Sequence, residues 1–299
     1  MLLLEKVILE LNRYIALQKI IEYGSFTKAG NALGYTQSSI SQMVASLENE
    51  LSMKLLIRSR YGVKLTPEGV ELYPFIERAI NQYNSMIEKA NEIKGLETGT
   101  IRVGTVSSVT CHWMPQLIKG FKKQYPNVQF IFHQGDYTLI PEWISTGQID
   151  FGFINPLAVT NLKTKAIKSD EMLAILPKDH PLASRKTIQL YDIANEPYIL
   201  LEEGQYSEPM AGFENAKIEP NIQYTLHDDY AIMTMVEAGL GISILAELVL
   251  KRTNYDIVCL PIDPPIKRTL AIAYKDMDSM PIASKYFIDY LMAHKDDLP

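Results

Sequence analysis

The sequence predicts an α/β protein in three parts: an all-α N-terminal module with a small wing, a long connecting helix, and a larger C-terminal α/β domain. Three observations lead there. Residues 25–66 read as two short helices, a tight turn between them, and a two-stranded wing. From Thr66 onward apolar residues recur at spacings of three and four. Beyond Thr100 strand-like and helix-like segments alternate, which implies a largely parallel sheet. A chain of 299 residues, 47% hydrophobic and 21% charged, can bury more than one core and has ordinary globular composition.

In chain order, Met1 to Glu10 is apolar but broken by Glu5, Lys6 and Glu10. It is too short and too charged for a secretory signal or a membrane span, and no other apolar run approaches spanning length. Cys111 and Cys259 show neither metal-ligand spacing nor a disulfide framework. The expectation is a cytoplasmic protein with no membrane contact and no cofactor. Leu11 to Tyr23 carries a helical apolar stripe that Gly24 stops.

A second helix and a turn at Gly34 follow. On the third helix Ile40, Val44, Leu47 and Leu51 share one face, while Gln37, Ser38, Ser41, Gln42 and Ala45 sweep the other. That outer face has amides and hydroxyls and nothing bulky, which suits entry into a DNA major groove. Ile57 to Thr66 reads as two strands around Gly62, with cations Arg58, Arg60 and Lys64 placed to lie along phosphates. Ser25 to Thr66 carries a net charge of +3 on a chain of net charge −6. Residues 1–95 hold 11 Lys and Arg against 10 Asp and Glu, so the acidity lies in the remainder.

Thr66 suits an N-cap, Pro67 the first helical position and Glu68 the positive helix end. Tyr73, Ile76, Ile80, Tyr83, Ile87 and Ala90 then form a heptad-like seam with Pro74 inside it, which fits either a dimer contact, favoured by its place between two modules, or a helix buried on its own domain. Gly95 to Gly99 reads as a hinge. Strands are expected at residues 100–104, 128–132, 149–154, 171–176, 197–201, 242–245 and 270–274. Helices are expected at residues 107–125, 139–146, 230–238 and 282–294. The domain boundaries expected are 1–66, 67–95 and 96–299, the last divided into residues 96–167 with 268–299 and residues 168–267.

The residues Gly24-Ser25-Phe26-Thr27, Ala29, Leu33, Gln37-Ser38-Ser39-Ile40-Ser41, Leu47-Glu48, Leu51, Arg58 and Leu65-Thr66-Pro67-Glu68-Gly69 resemble the winged helix-turn-helix of LysR-type transcriptional regulators. Three positions depart from that pattern: Gly30 stands for a second Ala, Ser52 for a Gly, and Leu56 for a Phe. Ile144 to Gly152, Pro177 to Leu182 and Val236 to Ile242 resemble segments of the same family's C-terminal half, with Ala246 and Glu247 in place of Leu-Pro. The resemblance implies two Rossmann-like subdomains, of the type 2 periplasmic-binding-protein kind, with a small-molecule effector in the cleft. It also implies a homodimer through the linker helix, a homotetramer, and contact with RNA polymerase.

The DNA-facing candidates are Ser25, Thr27, Thr36, Gln37, Ser38, Ser41, Gln42, Arg58 and Arg60. Gln37 and Gln42 can pair bidentately with adenine, and the hydroxyls can cap helices or meet phosphates. Effector candidates lie beyond strand ends, where such sheets bind ligands: Ser107, Ser108 and Val109 after the first strand, Asn155 after the third, Glu203 and Tyr206 after the fifth, and His227 and Asp229. Hydroxyls and free N–H groups near Ser107 suit an organic anion; Glu203 and Asp229 suit a cation or polyol instead. The competing classes are a small-molecule carrier and an enzyme, and the sequence offers neither a signal peptide nor a nucleophile–base pair for them.

Overall fold

A computed structural model describes residues 2–59, 62–93, 99–251 and 253–299. Arg60 of the expected wing and residues 94–98 of the expected hinge lie outside the described residues. The chain forms two compact units, one reaching to Ala90 and the other starting at Asn91.

The first unit contains α1 (Leu2–Tyr23), α2 (Phe26–Leu33), α3 (Gln37–Glu50), the hairpin β1 (Leu56–Ser59) and β2 (Gly62–Leu65), and α4 (Pro67–Ile93). The leader before Leu11 extends the first helix. Ile40, Val44 and Leu47 are buried against Ala16, Leu17, Ile20, Phe26 and Ala29. Burial of such aliphatic side chains stabilises by roughly 1.5–3 kcal/mol each. Gly34 closes α2 at φ +73, a conformation that costs a residue with a Cβ. At Gly30 a Cβ would lie 2.7 Å from the Tyr35 carbonyl oxygen, so this glycine lets the turn approach the helix closely.

Ser52, just past α3, holds φ +54 without being a glycine. Left-handed backbone costs an L-residue roughly 1–2 kcal/mol. Ser52→Gly should therefore stabilise this unit by about 1 kcal/mol, read as a rise of roughly 4–8 °C in its melting temperature. An unchanged or lower value would show that the Ser52 side chain offsets the strain.

Thr66 caps α4: its Oγ1 accepts from Gly69 N at 2.9 Å and donates to the Lys54 carbonyl at 2.7 Å. The expected seam on α4 splits. Ile76 and Ile80 are buried in the core of their own unit, while Ile87 is exposed together with Phe75 and Met86.

The second unit holds β3 (Thr100–Thr105), α5 (Ser107–His112), α6 (Met114–Phe121), β4 (Gln129–Gln134), α7 (Leu139–Thr146), β5 (Phe151–Ile154), β6 (Lys163–Pro177), α8 (Leu190–Ile193), β7 (Tyr198–Leu201), α9 (Glu208–Ala216), β8 (Ile222–Leu226), α10 (Asp229–Glu237), β9 (Ser243–Ala246), α11 (Glu247–Leu250), β10 (Ile257–Pro261), β11 (Lys267–Tyr274) and α12 (Ile282–Ala293). The main sheet runs β10-β6-β11-β5-β3-β4, with β9 also on β6.

It is mixed rather than largely parallel. β3 pairs parallel with β4 and β5, but β11 pairs antiparallel with β5 and β6. The reason is topological: β6 carries the chain out of the first core and β11 carries it back. Ile167 of β6 and Leu270 of β11 belong to the core around Trp113, Phe153 and Phe287, whereas Met172 of β6 belongs to the core around Tyr198, Phe213 and Ile244. The helix expected over residues 107–125 is divided into α5 and α6 at Trp113, with Pro115 opening the second piece.

Candidate functional site

The first site is the outer face of α3. Thr36 is its N-cap, accepting from Ser39 N at 3.1 Å, and its Oγ1 also meets the Ser38 and Ser39 hydroxyls at 2.9 and 2.8 Å. Ser25 caps α2 through Lys28 N, and Thr27 is exposed beside it. Gln37, Ser38 and Gln42 are exposed. The Gln37 and Gln42 amides make no hydrogen bond among the described residues, so both remain available to an outside partner. Arg58 reaches from the wing, donating to Ser41 Oγ at 2.8 Å with its guanidinium 3.8 Å from the centre of the Phe26 ring. The structure thus brings Ser41 and Arg58 together and fixes the wing beside α3.

Glu48 enters the sequence reading only through the Leu47-Glu48 resemblance and the charge count, with no role of its own. It is buried, and its carboxylate accepts from Leu55 N at 2.9 Å, Leu56 N at 3.2 Å and Lys54 Nζ at 2.7 Å. Burial pushes the carboxyl upward, but the Lys54 hydrogen bond and the two backbone N–H groups outweigh it and hold Glu48 below its ordinary range. The strand β1 is hung from α3 by this group.

The second site is a cleft of about 400 Å³ in the other unit. Ser107, Glu203, His227 and Asp229 line it, joined by Asp136 and Glu202. The other four expected residues are placed elsewhere. Val109 is in the core with 0% exposure. Ser108 is buried and accepts from Arg268 at 3.2 Å. Asn155 is buried, capping a short 3-10 turn through Leu157 N and donating to Glu208 Oε1 at 2.8 Å. Tyr206 lines a separate, larger cavity of about 580 Å³ bounded by α8, α9 and the segment before β11.

Ser107 opens α5 and Asp229 opens α10, and both side chains line the cleft. Burial raises the Asp229 carboxyl, partly offset by the charge of Arg268 and by Ser107. Gln134 Nε2 also donates to Ser107 Oγ at 3.0 Å. Beneath the cleft, Arg268 of β11 holds Asp170 of β6 by two bonds of 2.9 and 2.7 Å. This buried clamp sits where the two crossing strands pass between the cores, and sequence reasoning missed it. The signal was slight: an arginine between Lys267 and Thr269, just ahead of the apolar run Leu270 to Ala273.

Among the described residues, no group of His, Cys, Asp and Glu is arranged to hold a metal ion, and no helix is long and apolar enough to cross a membrane.

Comparison with known proteins decides what kind of protein carries these two sites. The family model described as LysR substrate binding domain matches residues 94–296, and that described as bacterial regulatory helix-turn-helix protein, lysR family, matches residues 11–70. The chain belongs to the LysR family of transcriptional regulators. The uncharacterized HTH-type transcriptional regulator YvbU of Bacillus subtilis (strain 168) is 34% identical, over 91% of this chain and 94% of its own. The crystal structure of full-length CbnR complexed with its target DNA shares the fold at TM-score 0.70 and 19% identity, covering 95% of this chain and 98% of that one. The effector-binding domain of QuiR in complex with shikimate matches at TM-score 0.60 and 24% identity, covering 67% of this chain and 98% of that one. The first unit of this LysR protein is accordingly its DNA-binding module and the second its substrate-binding domain, and DNA, a small molecule and other subunits are the partners of the family.

Proposed function

We propose that this LysR protein is a cytoplasmic, sequence-specific regulator whose promoter output is set by a small molecule in the cleft lined by Ser107, Glu203, His227 and Asp229. It acts by binding, not by turnover. The observation that carries the DNA half of the reading is the pair of unsatisfied amides, Gln37 and Gln42, on the exposed face of α3. A glutamine amide donates to and accepts from adenine at once, which no capped hydroxyl on this face can do. Ser25, Thr27, Thr36 and Ser38 position the module on phosphates, and Arg58 and Arg60 do so from the wing.

Two amides are few readers for a unique site. Two or more copies are needed to specify an operator, and the exposed Phe75, Met86 and Ile87 of α4 supply an apolar surface on which a homodimer pairs. Dimers then associate as a homotetramer, and the ligand-dependent form of the bound DNA governs contact with RNA polymerase.

Gln37→Ala tests this reading. Specific binding should weaken by roughly 1–3 kcal/mol at matched salt while binding to unrelated duplex stays the same. Equal loss on both DNAs, or none on either, would remove α3 from base reading.

A further inference from the structure

The four carboxylates of the cleft wall, Asp136, Glu202, Glu203 and Asp229, come from both sides of it, and among the described residues no Lys or Arg lines it. Two of these groups have local work. Asp136 Oδ1 accepts from Thr138 N and Leu139 N, and Glu202 Oε1 accepts from Gly204 N. Glu203 has none. It is half-buried along the cleft, and its carboxylate accepts no hydrogen bond from the described residues. Glu208 lies near it, only 2% exposed. Glu208 Oε1 takes hydrogen bonds from Tyr137 Oη and Asn155 Nδ2, while its Oε2 is buried with no partner among the described residues. Arg268 is the nearby cation, and two of its nitrogens are already spent on Asp170.

A cavity walled by carboxylates, one of them without a donor, and lined by no Lys or Arg among the described residues is complementary to a cationic donor from outside. We infer that the effector of this cleft carries an ammonium or guanidinium group, which docks on Glu203 and is shared with Asp229. The inference rests on the proposed effector role of the cleft and adds the class of ligand to it. An anion placed there would meet the carboxylates of both walls, and would have to compete with Asp170 for Arg268. Burial and the charges of Glu208, Asp229 and Asp136 raise the Glu203 carboxyl well above its ordinary range, against the opposing pull of Arg268. His227 and Glu202 line the same cavity beside it. In the free protein the ionised form is therefore disfavoured. A bound cation favours it, so affinity for a cation rises with pH as Glu203 ionises.

The test uses the full chain and a four-carbon series of equal length: 1,4-diaminobutane, 1,4-butanediol and succinate. Titration calorimetry should show the diamine binding about tenfold or more tightly than the diol, with succinate weakest and with diamine affinity rising between acid and neutral pH. Glu203→Gln should abolish the preference for the diamine. It should also raise the melting temperature of the ligand-free protein at neutral pH, because a carboxyl with a raised pKa loses its stability contribution as pH rises, which shows that the variant is folded. Succinate binding best, or the diamine binding no better than the diol, overturns the inference. Succinate binding that Ser107→Ala weakens would leave the effector cleft in place and remove only the cationic ligand. A diamine that binds as expected but leaves operator binding unaltered would instead count against the regulatory reading.

Discussion

Arg268→Met is expected to destabilise the substrate-binding domain by about 3–5 kcal/mol, because it strands Asp170 without its partner in a largely buried place. The loss is not of one ion pair alone. Arg268 also donates to Ser108 on α5, and Asp170 Oδ2 also accepts from Leu248 N at 3.2 Å. The clamp therefore ties the crossing strands β6 and β11 to α5, which opens at the cleft, and to α11. Removing both charges behaves differently from removing one. Arg268→Met combined with Asp170→Leu should recover a large part of the loss, since no uncompensated charge remains. Urea unfolding followed by the fluorescence of buried Trp113 reads both variants. A single variant that loses less than about 1 kcal/mol would mean that water or a neighbour satisfies Asp170 unaided.

Glu48→Ala should cost the DNA-binding module about 2–4 kcal/mol, since the N–H of fully buried Leu55 loses its acceptor along with that of Leu56. Glu48→Gln keeps one acceptor oxygen and should cost about half as much. The pH dependence has a definite sign. The Glu48 carboxyl is lowered in the folded state, so its contribution is present above the ordinary glutamate range near about 4.3 and is lost as pH falls through the lowered folded value. Hydrogen exchange of the Leu55 and Leu56 amides in the intact protein measures both effects. Wild-type protection that is independent of pH down to the point of global unfolding would remove Glu48 as the anchor of the wing.

What could be read in the sequence, and what could not, follows from range. The stripe Ile40, Val44 and Leu47 was legible because helical period is a local property, and the three side chains are buried as that period requires. The left-handed site at Ser52 was legible as a departure from a cap pattern, and its positive φ shows the departure is a strain the chain retains. Gly30 was read one-sidedly. Propensity counts it as a loss, but the contact that forbids a Cβ comes from Tyr35, beyond the helix. β8 was missed although Ile222, Tyr224 and Leu226 alternate with Gln223 and Thr225: the run is only five residues long, and four of them are exposed. The first half of β6 was missed for the same reason: Lys163 to Ala166 are exposed although they pair with β11.

Ser107, Glu203, His227 and Asp229 could be placed at one cleft from the sequence because segments beyond strand ends converge in such sheets. Position in the topology is a coarse guide, though. It could not tell Ser107, which faces the cleft, from Ser108 and Val109 one and two residues later, which turn to Arg268 and the core. Nor could it find Arg268 and Asp170, whose meeting is a matter of tertiary structure across 98 positions of sequence.

The central claim is that the state of the cleft sets the state of the protein on DNA, and it can be tested without knowing the ligand. Ser107 and Asp229 line the cleft at the starts of α5 and α10, so oxidation of Ser107→Cys with Asp229→Cys, in a background carrying Cys111→Ser and Cys259→Ser, is the way to lock it. An operator is first selected from a randomised duplex pool with the wild-type chain, and binding of the locked and reduced forms is then compared by footprinting at fixed salt. Oxidation should change the affinity about fivefold or more, or alter the length of the footprint, and reductant should reverse it. An identical footprint and affinity in the two forms, with the disulfide shown to be complete, would contradict the coupling of cleft to DNA.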